Sequence, residues 1–478
     1  MDGPRVTRGY LPANDSGNDL YDTGIGVEAF LSLEEPSIEI ESPADLADEI
    51  VQQLYEVLKF VPETNEFLGW NGQIFVSDVQ SHLRYSIRLL GSLDHNRSSL
   101  KKLRGRKFIE DVIWHLRDHP KIRRSSKTFD SETYKLNTPE GIVDLRTGQL
   151  SRHEKPSLVT KLTTTSPVEE RCKRFHQFLD EVTGGDECLQ EYLQVMFGAC
   201  LSGAPEAHWM AFIHGPTRSG KSVLVELLAH IMGSYAHTTD GSLFRKNGND
   251  ADANPKLFAL MGTRLVIASE VDDGHFDSIM IKQLTGDSHI TTRALYQNVV
   301  TFPRTFKIIA IGNSIPSSSE TSRALEARLH IVPFNRSFLG RENFDLPRTL
   351  REEHTAGYVL HWLIQGHMKY LSLERKFPQC SAVLGATRDY FSDQGTPAQW
   401  LGERCHLDDG LGPASSYAQV KHAYEDYCRW KQDRGEKSLA QKRFLGALPN
   451  IQTRKSNVIR LLGVYLNDPS SPRSGNWD

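Results

Sequence analysis

The sequence predicts an α/β core over residues 205–340, set between a mainly helical region over 45–204 and a C-terminal part that closes with a small domain over 414–478. Three observations carry that prediction. Apolar runs at 209–213, 264–268 and 306–312 have the length and composition of buried strands. The first leads into a glycine-rich turn and then into Val223-Leu224-Val225-Glu226-Leu227-Leu228, which opens a helix. Upstream, Ala47, Ile50, Val51, Leu54 and Val57 recur at helical spacing and form one apolar face.

With 478 residues, 38% hydrophobic and 24% charged, the composition is that of a soluble globular protein of about three domains. No apolar stretch approaches the length of a membrane span, and residues 1–15 lack a charged-then-apolar signal pattern, so the expected location is the cytoplasm. Six cysteines, at 172, 188, 200, 380, 405 and 428, include no C-x-x-C pair. That disfavours a zinc module and reads as reduced thiols of an intracellular protein. The formal charge of −4 hides an asymmetry: residues 1–50 carry 12 acids and 2 bases, which leaves 54 bases and 48 acids for the rest. The acidic leader, residues 1–44, buries too little apolar surface to offset its ordering entropy and is expected to be disordered. The mildly basic body suits a nucleic-acid partner.

Within the helical region, residues 97–127 carry eleven bases against three acids, interleaved with Phe108, Ile109, Val112, Ile113 and Trp114. This amphipathic helix with a positive flank reads either as a DNA-backbone contact or as a solvated charged face. Asn137 to Gly148 reads as turn, short strand, turn, and 174–202 returns to helix.

The core carries the chemistry. Gly215-Pro216-Thr217-Arg218-Ser219-Gly220-Lys221-Ser222 is a complete G-x-x-x-x-G-K-[ST] loop between a strand and a helix. Glycines let backbone N–H groups face a phosphate at a helix N-terminus, Lys221 supplies a charge to the β- and γ-phosphates, and the Ser222 hydroxyl is a magnesium ligand. The expected cofactors are therefore ATP and Mg2+. The strand over 264–268 runs into Ser269-Glu270, with Asp272 and Asp273 just beyond. Glu270 is expected to hold the magnesium shell and polarise the attacking water, with Asp272 in support and Asp273 as a turn cap. The strand over 306–312 ends at Asn313, an amide suited to orient water or sense the γ-phosphate. Arginines in Ser322 to Leu329 could reach a neighbouring subunit's nucleotide or make a surface ion pair.

The phosphate loop, the short spacing to an acidic strand, Lys282-Gln283-Leu284-Thr285-Gly286 and a strand ending in Gly312-Asn313 resemble the superfamily 3 helicases. The form is similar to the phage and plasmid primase–helicase type, of which the poxvirus primase-helicase is an example. Gly141 to Gly148 and Phe175 to Phe197 are similar to the helical N-terminal domain of that family, and the resemblance extends from about residue 45 onward. It implies an AAA+-like core that assembles as a ring, usually a hexamer, with ATP sites between subunits and 3′-to-5′ translocation on single-stranded DNA. A DNA-reading hairpin would have its tip at Ala294-Leu295-Tyr296-Gln297-Asn298, with Tyr296 and Gln297 on DNA, Lys282 and Arg293 toward phosphates, and Arg328 as the finger. The sequence departs from the family pattern in Gly286-Asp287-Ser288 and Ala327-Arg328, and in having Ser322 and Glu326 where the family has an acid and a tryptophan.

After a helical lid or linker over 341–413, residues 414–478 look like the winged-helix domain that follows many such helicases. Tyr417 to Trp430 forms one helix, Ser438 caps a second over 439–448, and a strand-like 457–466 follows. Lys442, Arg443, Arg454, Lys455 and Arg460 would face DNA or simply solvate a small lid. The expected whole is a replicative DNA helicase of a phage, plasmid or mobile element, working on single-stranded and forked DNA in a bacterial host. An ATP-dependent origin-binding initiator without processive unwinding is the alternative. The roughly 45 residues before the helical region cannot hold the metal-binding carboxylates of a primase fold, so a primase would be a separate protein or a part cut away.

Overall fold

The computed structural model describes residues 33–34, 36, 39–93, 105–205, 208–244, 255–269, 271, 277–293, 299–316, 323–394, 396–408, 417–433, 438–448, 451–455 and 459–466. Glu270, Asp272, Tyr296 and Gln297, together with most of the acidic leader, lie outside the described residues. The described chain forms two compact units: residues up to Phe129 with Glu154–Thr160, and Asp130–His153 with the residues from Lys161 onward.

The first unit opens with helix Pro43–Leu54, started by a capping box in which the Ser42 hydroxyl accepts from the Asp45 amide and the Asp45 carboxylate accepts from the Ser42 amide. Its buried face of Leu46, Ala47, Ile50, Val51 and Leu54 packs on helix Arg106–Asp118, which contributes Ile109, Val112, Ile113 and Leu116. Along the chain between them runs a three-stranded antiparallel sheet of Leu58–Val61, Glu66–Trp70 and Phe75–Val76. A second such sheet, Lys135–Thr138, Gly141–Asp144 and Gln149–Ser151, belongs to the second unit. The described part of the region over 45–204 therefore sets two small sheets among its helices. Strands of two to five residues carry too few alternations to stand out against the helical segments that flank them. The strand expected after Asn137 is present.

The second unit is built on a five-stranded, wholly parallel sheet: β1 (Met210–His214), β2 (Ala236–Asp240), β3 (Leu265–Ser269), β4 (Lys307–Gly312) and β5 (Leu329–Pro333), in the order β5-β1-β4-β3-β2. β1 and β4 bury nearly every residue, because cores lie on both faces. One core packs helix Lys221–Met232 and the pair Glu187–Ala199 and Glu353–Ser372 against Ala211, Ile213, Ile309 and Val332. The other collects Phe212, Val266, Ile308, Ile331, Tyr390 and Phe391. That double covering explains the continuous apolar runs. A hairpin of His289–Arg293 and Val299–Pro303 enters between β3 and β4.

At the C-terminal end, helices Val420–Gln432 and Gln441–Gly446 surround a core of Trp400, Tyr427 and Phe444. Short strands pair Thr453–Lys455 with Ile459–Leu461, and Cys405–Leu407 with Val464–Leu466. Ser438 does not cap the second helix: its cap is Ala440, without a side-chain hydrogen bond. All six cysteines are free thiols. No described helix is long and apolar enough to cross a membrane.

Candidate functional site

Because all five strands are parallel, their carboxyl ends share one edge of the sheet, where open α/β folds present ligand crevices. β1 delivers the loop 215–222 to that edge. The register pairs Gly312 with His214, so Asn313, the residue after β4, comes up beside Gly215. β3 is the next strand along and ends at Ser269, directly before Glu270.

The loop is shaped by its close neighbours. A Cβ on Gly215 would lie 1.9 Å from the Phe334 carbonyl oxygen, so only glycine fits there. Arg218 (φ 61°) and Gly220 (φ 85°) both take left-handed conformations, which curl the backbone and turn its N–H groups inward. Gly220 caps helix Lys221–Met232 without any side-chain hydrogen bond, leaving its first-turn amides free of a side-chain cap. The segment after β5 clasps the outside. The Phe334 amide donates to the His214 carbonyl (2.7 Å), the Phe338 amide to the Arg218 carbonyl (2.8 Å) and the Ser337 hydroxyl to the Thr217 carbonyl (3.0 Å). Pro216, Thr217 and Ser222 are exposed at the mouth, whereas Ser219 is buried.

Lys221 is the telling residue. It is 7% exposed, and its ammonium donates to the carbonyls of Gly215 (2.8 Å) and Pro216 (2.9 Å), to Ser219 Oγ (3.0 Å) and to Asn313 Oδ1 (3.3 Å). Every one of these partners is neutral. Among the described residues no carboxylate pairs with it, and burial holds its pKa below the ordinary lysine value. A buried cation without a counter-ion is costly, and an anion entering the loop would supply the missing charge. The donor set fits a triphosphate: first-turn amides, a lysine that can exchange carbonyls for phosphate oxygens, and an exposed Ser222 hydroxyl suited to a magnesium ion. Among the described residues no group of three or more His, Cys, Asp or Glu gathers as a metal site of its own.

The opposite edge of the sheet is also lined with cations, three of them almost fully buried. Arg264 donates to the carbonyls of Leu201 (2.7 Å) and Lys135 (2.7 Å) and lies 4.4 Å from the Tyr235 ring centroid. Lys307 donates to the carbonyls of Ser202 and Ala204, and Arg304 to those of Pro205 and Asp287. Together they secure the carbonyls that follow helix Glu187–Ala199. Sequence reasoning missed all three. Their only signal was a basic residue at or near the start of a buried strand.

Arg328 stands at that same edge. It precedes β5, whose Leu329 pairs with Met210 while Pro333 pairs with His214. At about 3.3 Å per residue it is about 20 Å from Gly215 of its own chain. Its guanidinium lies over Gly286, whose Cβ would come 3.2 Å from Nη2, and among the described residues it makes no hydrogen bond or ion pair. The structure therefore unites Lys221 with Asn313 and sets Arg328 apart. Lys282 lies in helix Ser278–Gly286, and Arg293 ends the first hairpin strand opposite Val299; both are partly buried.

A cavity of about 460 Å³ opens beside the loop, bounded by His214, Asn335, Ser381, Asp389, Tyr390 and Arg443. Burial pushes the His214 imidazole down to about 4, with smaller contributions from Arg443 and Lys221. Arg443 thus lines this cavity, and Arg460 donates to the Tyr417 carbonyl (2.6 Å).

The N-terminal part of the chain, residues 48–184, matches the family model described as D5 N terminal like, and residues 213–328 match a family of unknown function, DUF5906. A protein of Acanthamoeba polyphaga mimivirus named "Putative helicase L207/L206" is 25% identical over 247 residues, 50% of this chain and 26% of that protein. A protein of Sputnik virophage named "Putative helicase V13" is 24% identical over 248 residues, 48% of this chain and 30% of that protein. The chain thus spans less than a third of the length of either relative. Solved structures of the NrS-1 C terminal region align over 89% of this chain and all of theirs, at 11–12% identity and TM-scores of 0.44 and 0.47.

Proposed function

We propose that this chain is an ATP-driven DNA helicase of the superfamily 3, primase–helicase type, working as a ring, a hexamer, with Mg2+ and ATP at the 215–222 loop. The observation that carries the reading is the buried Lys221, without a carboxylate partner among the described residues, held within hydrogen-bonding distance of Asn313, where β1 and β4 end. Names given to the mimivirus and virophage relatives support a helicase, and the D5 N terminal like match supports the primase–helicase type.

In this reading the loop amides and Lys221 bind the β- and γ-phosphates, and Asn313 orients the attacking water beside them. Magnesium, when bound by Ser222 and Glu270, neutralises charge that builds on the transferring phosphoryl group. Asp272 supports Glu270. Arg328 is too far to serve its own loop, so it serves a neighbour's, and its lack of a hydrogen bond or ion pair among the described residues suits a side chain that completes its bonding across a subunit boundary. The hairpin tip carries Tyr296 and Gln297 to a single strand in the pore, with Lys282 and Arg293 behind it. Movement is 3′ to 5′.

The test is ATP hydrolysis with and without single-stranded DNA, alongside unwinding of a fork with a 3′ tail and no origin sequence. DNA-stimulated turnover and unwinding, both lost in Lys221→Ala, are expected. Turnover without unwinding of any such fork would favour an initiator, and no turnover at all would overturn the reading.

A further inference from the structure

The first unit carries a surface that the motor does not use. Helices Gln80–Leu93 and Arg106–Asp118 lie side by side, joined by a two-pronged ion pair: Arg84 Nε donates to Glu110 Oε1 at 2.9 Å and Arg84 Nη2 to Glu110 Oε2 at 3.0 Å. Each turns a stripe inward, Leu83, Ile87 and Leu90 from the first and Ile109, Val112, Ile113 and Leu116 from the second. At 100° per residue the opposite stripes face solvent. Those stripes hold Tyr85 and Trp114, each 60% exposed, and Leu89 at 44%. Large rings left this open are unusual on a solvated helix pair and point to a partner.

The charge around them says which kind. Over 80–93 and 105–127 there are nine Arg and Lys against three Asp and Glu. Two of the three acids are already engaged, Glu110 by Arg84 and Asp118 by Arg123 at 2.8 Å. Arg88, Arg106 and Lys107 are exposed on the same two helices. Flat aromatic faces set among bases are what an unpaired polynucleotide requires: rings stack on bases of any sequence while the cations hold phosphates. A protein partner of ordinary composition would not call for so one-sided a charge.

We propose that this face is a second contact for single-stranded nucleic acid, independent of nucleotide, with Tyr85 and Trp114 as stacking platforms. It rests on the helicase reading only for its biological purpose, which is to hold the strand outside the pore.

The experiment is fluorescence anisotropy of a labelled oligothymidylate with the full chain in the absence of ATP. The double variant Tyr85→Ala/Trp114→Ala should bind at least about tenfold more weakly, while Tyr85→Phe/Trp114→Phe should keep nearly full affinity. The salt dependence should stay the same in both, because the cations remain, and should flatten in Arg88→Ala/Lys107→Ala. Lys221→Ala should bind like wild type, so failure of ATP turnover leaves this result standing and the converse also holds. Unchanged affinity in the alanine variant at an unchanged melting temperature would overturn the proposal. So would a change in sedimentation of the nucleic-acid-free protein, which would assign the face to another copy of the chain.

Discussion

The two edges of the parallel sheet hold buried cations in opposite ways. At the amino edge, Arg264, Arg304 and Lys307 clamp the carbonyls of residues 201–205, and those bonds are part of the fold. At the carboxyl edge, among the described residues, Lys221 holds its own loop and Asn313, through bonds that a ligand's oxygens could replace one for one. Similar chemistry serves rigidity in one place and exchange in the other, and the difference lies in what the partner carbonyls would do if released. Those of Leu201, Ser202 and Ala204 belong to buried residues and would be left unsatisfied, whereas those of Gly215 and Pro216 border an exposed mouth.

The contrast can be broken most forcefully at Lys221. Lys221→Ala should remove measurable ATP turnover yet leave the urea midpoint unchanged or slightly raised, because it deletes a buried charge that no carboxylate among the described residues offsets. Arg328→Ala comes next. It should lower turnover by about 10³-fold or more without changing nucleotide affinity, and mixing it with Lys221→Ala chains should restore some activity if the residues act across subunits. Lys307→Met should do the reverse, costing about 2–4 kcal/mol in urea unfolding because the Ser202 and Ala204 carbonyls lose a donor.

A milder effect comes from pH. Burial drives His214, His330 and His367 each down to about 4, so the unfolded chain binds protons that the folded chain refuses between about 4 and 6.5. Stability should therefore fall as pH drops through that window, by about 2–3 kcal/mol per histidine at its lower end. Thermal melts from pH 7 to 4.5 would show it, and His330→Asn should flatten the slope. The smallest change is Gly286→Ala, which moves the Arg328 guanidinium by a few tenths of an ångström and should lower turnover about two- to fivefold at constant stability.

What the sequence made legible was whatever lies in one continuous segment. The strand, loop and helix around 210–232 and the positions of β3 and β4 carry local signals, whereas the hairpin flanking 294–298 was implied by the family resemblance. Of the two three-stranded sheets only the strand Gly141–Asp144 carried such a signal, through the turns on either side of it, since the strands are too short for a period to show. The buried cations were hidden for a different reason. Arg264 and Lys307 precede or begin apolar strands, where a base reads as an edge residue, and only the fold reveals that residues 201–205 close over them. The distance of Arg328 from its own loop was likewise invisible, because it follows from parallel register and not from spacing. Cavity-lining Arg443 and carbonyl-bound Arg460 looked from the sequence like the other C-terminal bases.

The claim on which the account turns is that Lys221 awaits an anionic partner. Calorimetric titration of a non-hydrolysable ATP analogue with magnesium into wild-type protein and Lys221→Met tests it directly. Saturable binding by wild type, with affinity at least about tenfold weaker in the variant at equal melting temperature, is the predicted result. Equal affinity in the two proteins, or no binding by wild type, would contradict it.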